Sequence, residues 1–188
     1  MSKKDEKVFR LPSRASIAGR SSSITNAFIA AIMPIHVPTD AEIDQALKIL
    51  GMSRQRVGCC YCGGTMTEWD HLKPFVAGRE PTGFFTSIYN LVPACGKCNQ
   101  SKGNKDWEPW MRSKHAALPN LEERIRRLKA YEKWGGILPL TIKRLVGDTE
   151  WQRYMKLCEN IIRLMREAEL EARELKGRLQ KAIDGRIA

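Results

Sequence analysis

The pattern of apolar and polar positions predicts a chain that is mostly helical. Apolar residues recur at helical spacing over residues 23–33, and this segment stops before Pro34. A second helix is expected after Thr39, because Thr39 and Glu42 have the spacing of a capping box. Together the two helices predict an N-terminal helical subdomain over residues 21–56.

The middle of the chain has a different pattern, in which two short extended segments precede a helix. Residues 65–71 are rich in Thr and Trp, and residues 88–92 form a second short apolar segment. From about Lys97 the pattern becomes helical, with a break at Gly103 before another helical stretch. We therefore expect two strands followed by a helix within residues 57–114.

The C-terminal region, residues 115–188, is predicted to be helical, with one long helix over residues 149–183. In the long helix, apolar residues recur at two heptad positions. They are Trp151, Cys158, Met165, Ala172 and Leu179 at one position, and Tyr154, Ile161, Ala168, Leu175 and Ala182 at the other. This pattern predicts a dimerisation helix that forms a coiled coil with a second copy. The alternative is a helix that packs on its own domain, because several alanines weaken a two-stranded seam.

The charge of the chain indicates what it binds. Its 188 residues carry 32 Lys and Arg against 21 Asp and Glu, a formal net charge of +11. Such an excess favours a polyanionic partner such as nucleic acid, and the alternative is a solvated basic surface. Residues 1–20 hold several of these cations and few apolar residues, so we expect a basic flexible arm. The polar start and the short apolar runs predict no secretory leader, no membrane span and a cytoplasmic protein.

Four of the six cysteines form two pairs with C-x-x-C spacing. They are Cys59 with Cys62, and Cys95 with Cys98. Two such pairs separated by a long loop are typical of one tetrahedral zinc site, and a reducing compartment favours metal ligation over disulfides. A zinc ion with four thiolate ligands has no open position, so it is expected to be structural. Cys60 lies inside the first pair and can replace a neighbour as a ligand.

Polar residues near the cysteine pairs suggest hydrolysis of a phosphodiester. Asp70 and His71 lie between the pairs, and Asn99 directly follows the second pair. A carboxylate and an amide oxygen suit a hard divalent ion, and a neutral imidazole is a suitable base for water. Neighbouring side chains of a strand point to opposite faces, so Asp70 and His71 can act together only at a strand end or bulge. Lys102 lies one helical turn after Asn99, and it either faces the same phosphate or is a solvated lysine.

These residues resemble an HNH endonuclease of the ββα-metal type over residues 57–105. The resemblance rests on the two cysteine pairs, Asp70-His71, the stretch from Asn90 to Pro93, and Asn99 followed by Lys102. It implies that His71 is the general base and that Asp70 and Asn99 hold a catalytic Mg²⁺ or Mn²⁺ ion. It also implies that Asn90 holds the loop that orients His71. Because Asn99 stands where the family name has its second His, the chain is similar to the His-Asn-Asn variant.

The resemblance also implies a fold and a function. The expected fold class is α+β and mostly α-helical, with a small zinc-bound ββα-metal nuclease motif in residues 57–114 between N-terminal helices and a long C-terminal helix. The expected function is a metal-dependent endonuclease that cuts double-stranded DNA to 5′-phosphate and 3′-hydroxyl ends, in a type II restriction-like role. A homodimer through the helix at residues 149–183 would place two such sites on a symmetric target.

Other functions compete with this one. Homing, phage and other defence nucleases or nickases share the motif. A zinc-stapled DNA-binding module without catalysis fits the charge and the cysteines, but such a module does not need Asp70, His71 and Asn99. A structural protein whose long helix is the functional part explains the helix and not the motif.

Overall fold

The computed structural model describes residues 16–187 and divides them into two units. The larger unit covers residues 26–151, and the smaller unit joins residues 16–25 to residues 152–187. Most of the predicted basic arm, residues 1–15, lies outside the described residues. Within residues 16–187, no helix combines the length and the apolar character that crossing a bilayer requires.

The chain is mostly helical with two small antiparallel sheets, which confirms the predicted α+β class. The helices are α1 (Ser21–Ile32), α2 (Asp40–Ile49), α3 (Gly96–Lys102), α4 (Trp107–Lys114), α5 (Leu121–Gly135), α6 (Ile142–Val146) and α7 (Asp148–Ile187). The strands are β1 (Glu68–His71), β2 (Val76–Ala77), β3 (Glu80–Pro81) and β4 (Leu91–Ala94).

Strands β1 and β4 pair antiparallel, with His71 opposite Leu91, and α3 follows β4 directly. This is the order of strand, strand and helix that the sequence predicts. Strand β1 begins three residues later than expected, because Thr65 instead forms an isolated bridge with Gly58. This bridge closes the turn over residues 59–64, which contains the first cysteine pair and is called the cysteine turn below. The cysteine turn therefore lies directly before the start of β1.

A short hairpin that the sequence does not predict lies between β1 and β4. Strands β2 and β3 pair antiparallel across a turn formed by Gly78 and Arg79. Both turn residues have positive φ, 59° for Gly78 and 68° for Arg79. Positive φ at both central positions is what a two-residue type I′ hairpin turn requires. The hairpin follows the loop after His71, so it shapes one border of the candidate site.

Large apolar side chains from several elements of the larger unit form its core. Tyr61 of the cysteine turn, Val92 of β4, Trp107 of α4 and Tyr131 of α5 are all almost fully buried. The capping box predicted at the start of α2 is present, because Glu42 N–H donates to Thr39 Oγ1 and Thr39 N–H donates to the Glu42 carboxylate. The small ββα element is therefore supported by packing as well as by any metal.

The smaller unit is built on α7 from Gln152 onwards. Glu169 accepts hydrogen bonds from the backbone N–H groups of Ile17 and Ala18, at 2.5 and 3.2 Å. Residues 18–20, predicted as the end of the arm, form a short 3₁₀ helix. Further along α7, Leu175 and Leu179 are 55% and 65% exposed. The last heptads of the predicted seam therefore have no apolar cover within the described residues.

Candidate active site and metal centre

The four paired cysteines come together as a compact cluster of sulfur atoms. The Sγ atoms of Cys59, Cys62, Cys95 and Cys98 all lie within 4.8 Å of one another. The Cys62 and Cys95 Sγ atoms are 3.8 Å apart. A tetrahedral zinc ion with Zn–S bonds of about 2.3 Å places its sulfur ligands about 3.8 Å apart. The donor set and its spacing therefore fit one structural zinc ion.

Local backbone geometry explains how the cysteine turn forms. Gly63 has a φ of 80°, a value that residues other than glycine rarely adopt. Its N–H donates to Cys59 O at 2.8 Å. The Gly64 N–H points at Cys62 Sγ at 3.4 Å, a contact that favours a thiolate. On the other side, Cys95 is the N-cap of α3 and Cys98 lies in its first turn. The cluster thus joins the cysteine turn to the start of α3.

Cys60 is not part of the cluster. Its side chain is buried, and burial raises the pKa of the Cys60 thiol well above its ordinary value. Its backbone N–H donates to Pro93 O at 2.8 Å, which connects the turn to β4. The possibility that Cys60 replaces a neighbour as ligand is therefore not supported, because the side chain is directed into the core as a neutral thiol.

Asp70 and Lys102 form a buried ion pair beneath the strand pair. Lys102 Nζ lies 3.2 Å from Asp70 Oδ1 and 3.1 Å from Asp70 Oδ2, and Tyr61 OH donates to Oδ2 at 2.7 Å. Asp70 is 5% exposed and Lys102 is 1% exposed. Burial raises the pKa of Asp70 above its usual value, while the Lys102 charge and the Tyr61 hydroxyl oppose that rise. Lys102 is therefore neither solvated nor exposed to a phosphate, in contrast to both interpretations from the sequence.

His71 is the last residue of β1. A strand end is one of the two places at which neighbouring residues such as Asp70 and His71 can act in the same site. Its Nε2 lies 2.9 Å from Thr86 Oγ1, and its ring packs edge-on against Phe75 at 4.9 Å between centroids. Burial, aided by the Lys102 charge, lowers the pKa of His71 to about 4. The imidazole is therefore neutral and oriented at physiological pH, which is the state that a general base needs.

Asn90 holds the loop that follows His71. Its Oδ1 accepts from Lys73 N–H at 2.8 Å, and its Nδ2 donates to Lys73 O at 3.0 Å and to Phe85 O at 3.3 Å. Its backbone oxygen accepts from Leu72 N–H at 2.8 Å. The buried Asn90 side chain thus ties both backbone groups of Lys73 to the segment that precedes β4.

Asn99 lies on α3 facing β1. Its Nδ2 donates to Glu68 Oε2 at 2.7 Å, and no donor among residues 16–187 contacts its Oδ1. Glu68 and Asp70 point to the same face of β1, because they are two residues apart on a strand. The structure therefore brings Glu68, Asp70 and Asn99 to one side of the strand pair.

This oxygen-donor set fits a hard divalent ion. Carboxylate and amide oxygens are the ligands that Mg²⁺ and Mn²⁺ prefer. A carboxylate has about four lone-pair positions, and the contacts to Asp70 use one on Oδ1 and two on Oδ2. Asp70 Oδ1 and Asn99 Oδ1 thus each keep an acceptor position for a cation.

Four residues around the site were not predicted as functional from the sequence. Tyr61, Glu68 and Thr86 contact Asp70, Asn99 and His71 respectively. His115 Nε2 lies 3.5 Å from Cys98 Sγ and can donate to it as a thiolate. Only Glu68 carries a signal in the sequence, its two-residue spacing from Asp70 on a strand. The other three reach the site through tertiary packing.

Comparisons with known proteins point to one family. The model of the HNH endonuclease family matches residues 59–105. The CRISPR-associated endonuclease Cas9 of Corynebacterium diphtheriae is 27% identical over 129 residues, which are 66% of this chain and 11% of that protein. The chain thus matches only a small part of that relative's length. No solved structure matches the chain significantly.

Proposed function

We propose that this chain, whose residues 59–105 are an HNH endonuclease domain, is a metal-dependent endonuclease that hydrolyses phosphodiester bonds of DNA to 5′-phosphate and 3′-hydroxyl ends. The observation that carries the proposal is the set of Lys102 contacts at the end of β1. There Lys102 Nζ donates to His71 O at 2.9 Å while it pairs with Asp70. Lys102 therefore fixes the backbone of His71, the proposed base, relative to the carboxylate of Asp70, the proposed metal ligand.

In this proposal His71 takes a proton from the water that attacks phosphorus. A pKa of about 4 keeps the imidazole neutral but makes it a weak base. The phosphates of a bound DNA strand bring negative charge, which favours the imidazolium and raises that pKa towards the working pH. Thr86 holds the ring through Nε2, and Asn90 holds the loop that follows it.

Asp70 and Asn99 would hold the catalytic ion, with Mg²⁺ or Mn²⁺ as the candidates. Such an ion supplies positive charge for the scissile phosphate and for the leaving oxygen when it is bound. Lys102 keeps the Asp70 carboxylate ionised against its burial, since its charge opposes the rise in the pKa of Asp70. Lys102 is accordingly assigned to the support of Asp70, and substrate contact is not part of its role.

The test is cleavage of plasmid DNA by zinc-loaded protein with added Mg²⁺, added Mn²⁺ or no further divalent ion. We expect cleavage only with an added ion. His71→Ala should slow it by roughly a hundredfold or more, the usual cost of removing a general base. His36→Ala is the matched control, because His36 is exposed and pairs with Glu42 of α2. Equal rates for His71→Ala and wild type would reject the assignment.

The proposed partner is double-stranded DNA, and an arginine-lined groove supports this. The groove lies beside the cysteine turn, has a volume of about 540 Å³, and is lined by Arg56, Arg124 and Arg127 without an acidic side chain. Arg124 donates to Cys60 O at 3.2 Å. Arg127 donates to Leu50 O at 3.3 Å and also pairs with Glu123 at 2.7 Å, so Arg56 and Arg124 are the groove cations without an acidic partner among the ion pairs of the described residues. Guanidinium groups held in this way lose little freedom when they bind a phosphate.

We also propose that two copies associate through α7, as the heptad pattern predicts. The exposure of Leu175 and Leu179 supports this, because apolar seam positions at that end of α7 are without cover in the described chain. Leu175→Glu combined with Leu179→Glu should then convert a dimer to a monomer in sedimentation, and double-strand cutting to nicking. A wild-type monomer, both free and on DNA, would contradict the dimer.

The restriction-like role completes the proposal. Mapping the ends of the cleaved plasmid tests it, because a type II enzyme cuts wherever one short recognition sequence occurs. Ends without a common sequence would contradict that role and favour a homing, phage or other defence nuclease.

A further inference from the structure

Glu68 is a second carboxylate beside the candidate metal site. It lies two residues before the buried Asp70 on the same face of β1. The ion pairs among residues 16–187 include a cation for Asp70 and none for Glu68. Like charges this close disfavour each other, so the contacts of Glu68 must compensate for the second carboxylate.

The contacts of Glu68 indicate what it does instead. Its Oε2 accepts from Asn99 Nδ2 at 2.7 Å. Its other oxygen lies over the first turn of α3, where a Cβ built on Gly96 would approach Glu68 Oε1 to 2.6 Å. One oxygen of the Glu68 carboxylate thus lies against Gly96, and the other accepts the hydrogen bond from the Asn99 amide.

An amide side chain has a donor end and an acceptor end, and the two exchange when the group rotates by about half a turn. A carboxylate accepts hydrogen bonds and cannot donate them. Glu68 therefore stabilises the orientation in which Nδ2 of Asn99 faces the Glu68 carboxylate, and Oδ1 points away from that carboxylate. Only in that orientation is the amide oxygen presented to a cation.

We propose that Glu68 is a positioning residue for the metal centre, one that fixes the Asn99 amide with its oxygen available to the divalent ion. This inference rests on the proposed function. Outer-shell hydrogen bonds of this kind orient metal ligands, and their removal typically lowers metal affinity by about 10–100-fold. Gly96 contributes by leaving room for the carboxylate.

Three substitutions separate orientation from charge. Glu68→Ala removes both the charge and the acceptor. Glu68→Gln removes the charge and keeps an amide oxygen that can accept from Asn99. Gly96→Ala keeps the charge and displaces the carboxylate, because the new Cβ would lie 2.6 Å from Glu68 Oε1. Asp44→Ala is the matched control, since Asp44 is an exposed carboxylate on α2.

The measurement is Mn²⁺ affinity, from electron paramagnetic resonance of free Mn²⁺ in a mixture of zinc-loaded protein and duplex DNA. The His71→Ala background keeps the DNA intact, and DNA alone gives the baseline. We expect Glu68→Ala to weaken Mn²⁺ binding by about tenfold or more, and Glu68→Gln to stay within about threefold of the parent. Gly96→Ala should weaken it by less than Glu68→Ala, because the Glu68 carboxylate is the end of a flexible side chain and can shift away from the new Cβ. In an Asn99→Ala background, Glu68→Ala should have no further effect, because the residue acts through Asn99.

Two results would overturn the proposal. One is unchanged Mn²⁺ binding by Glu68→Ala. The other is a loss in Glu68→Gln as large as in Glu68→Ala, which would make charge or direct ligation the role of Glu68. A parent protein that neither cuts DNA nor binds Mn²⁺ would reject the proposed function itself. Failure of the function is thus distinguishable from failure of this inference.

Discussion

Replacing Lys102 by Met should destabilise the domain far more than the loss of one surface lysine. The substitution removes the ammonium and keeps a flexible apolar stem in a site that is 1% exposed. Asp70 then stays buried with Tyr61 OH as its remaining donor, and the carbonyls of His71 and Gly103 lose the donor they share. The substitution therefore leaves one buried charge without its ion-pair partner and removes a donor from the His71 carbonyl.

The size of the effect follows from the burial of both partners. Removing one partner of a buried ion pair costs about 3–5 kcal/mol. Asp70 limits this cost by taking up a proton. Neutralising a carboxyl with an ordinary pKa of about 3.9 costs roughly 4 kcal/mol at pH 7 and roughly 2 kcal/mol at pH 5.5. We therefore expect Lys102→Met to lower the free energy of unfolding by about 4 kcal/mol at pH 7 and about 2 kcal/mol at pH 5.5.

Urea unfolding at fixed free zinc, followed by the fluorescence of the buried Trp107 and Trp110, measures both values. Lys105→Met is the matched control, because Lys105 is exposed and its ammonium donates to the Ser101 carbonyl. Asp70→Asn added to Lys102→Met should recover much of the loss, since no buried charge then remains. A loss below about 1 kcal/mol at pH 7, or an equal loss at both pH values, would refute the reasoning.

Three further predictions concern zinc, pH and salt. Cys62→Ser should yield protein without zinc and with an unfolded cysteine turn, seen by elemental analysis and circular dichroism; a zinc-free variant that folds and cuts DNA would contradict this. Because the pKa of His71 falls from 6.5 to about 4, the unfolded chain binds the extra proton between these values. Stability should thus fall by roughly 3 kcal/mol as pH drops through that range, and less in His71→Ala. Arg56→Ala should reduce the slope of log binding constant for DNA against log salt concentration by about one, because one fewer counterion is released. Arg126→Ala, at an exposed position, should leave the slope unchanged. An unchanged slope in Arg56→Ala would place Arg56 outside the interface.

The four-cysteine cluster and the ββα order could be predicted from the sequence because their determinants are local. C-x-x-C spacing places two sulfur atoms in one turn, and the second pair leads directly into the helix that carries Asn99. The environment of Lys102 could not be predicted in this way. Its spacing from Asn99 places both on one face of α3, but burial of that face depends on β1 packing against it.

Other features depend on contacts between distant segments. His115 approaches Cys98 only because α4 folds back beside the cysteine cluster, and 17 residues separate the two in the chain. The β2–β3 hairpin is local, but its turn requires a positive φ at Arg79, which arginine seldom adopts, so the sequence around Gly78 indicates only a turn. The His115 contact follows from tertiary structure, which overrides the local pattern.

The position of the cysteine pairs also determines when in folding the active site can form. Cys62 and Cys95 are 33 residues apart, and the segment between them contains Asp70, His71 and Asn90. Closing a loop of that length costs about 3 kcal/mol of chain entropy, which a zinc ion bound to both pairs offsets. Zinc uptake should therefore precede assembly of the nucleolytic centre, so a newly made chain that has not yet acquired zinc should be unable to damage DNA.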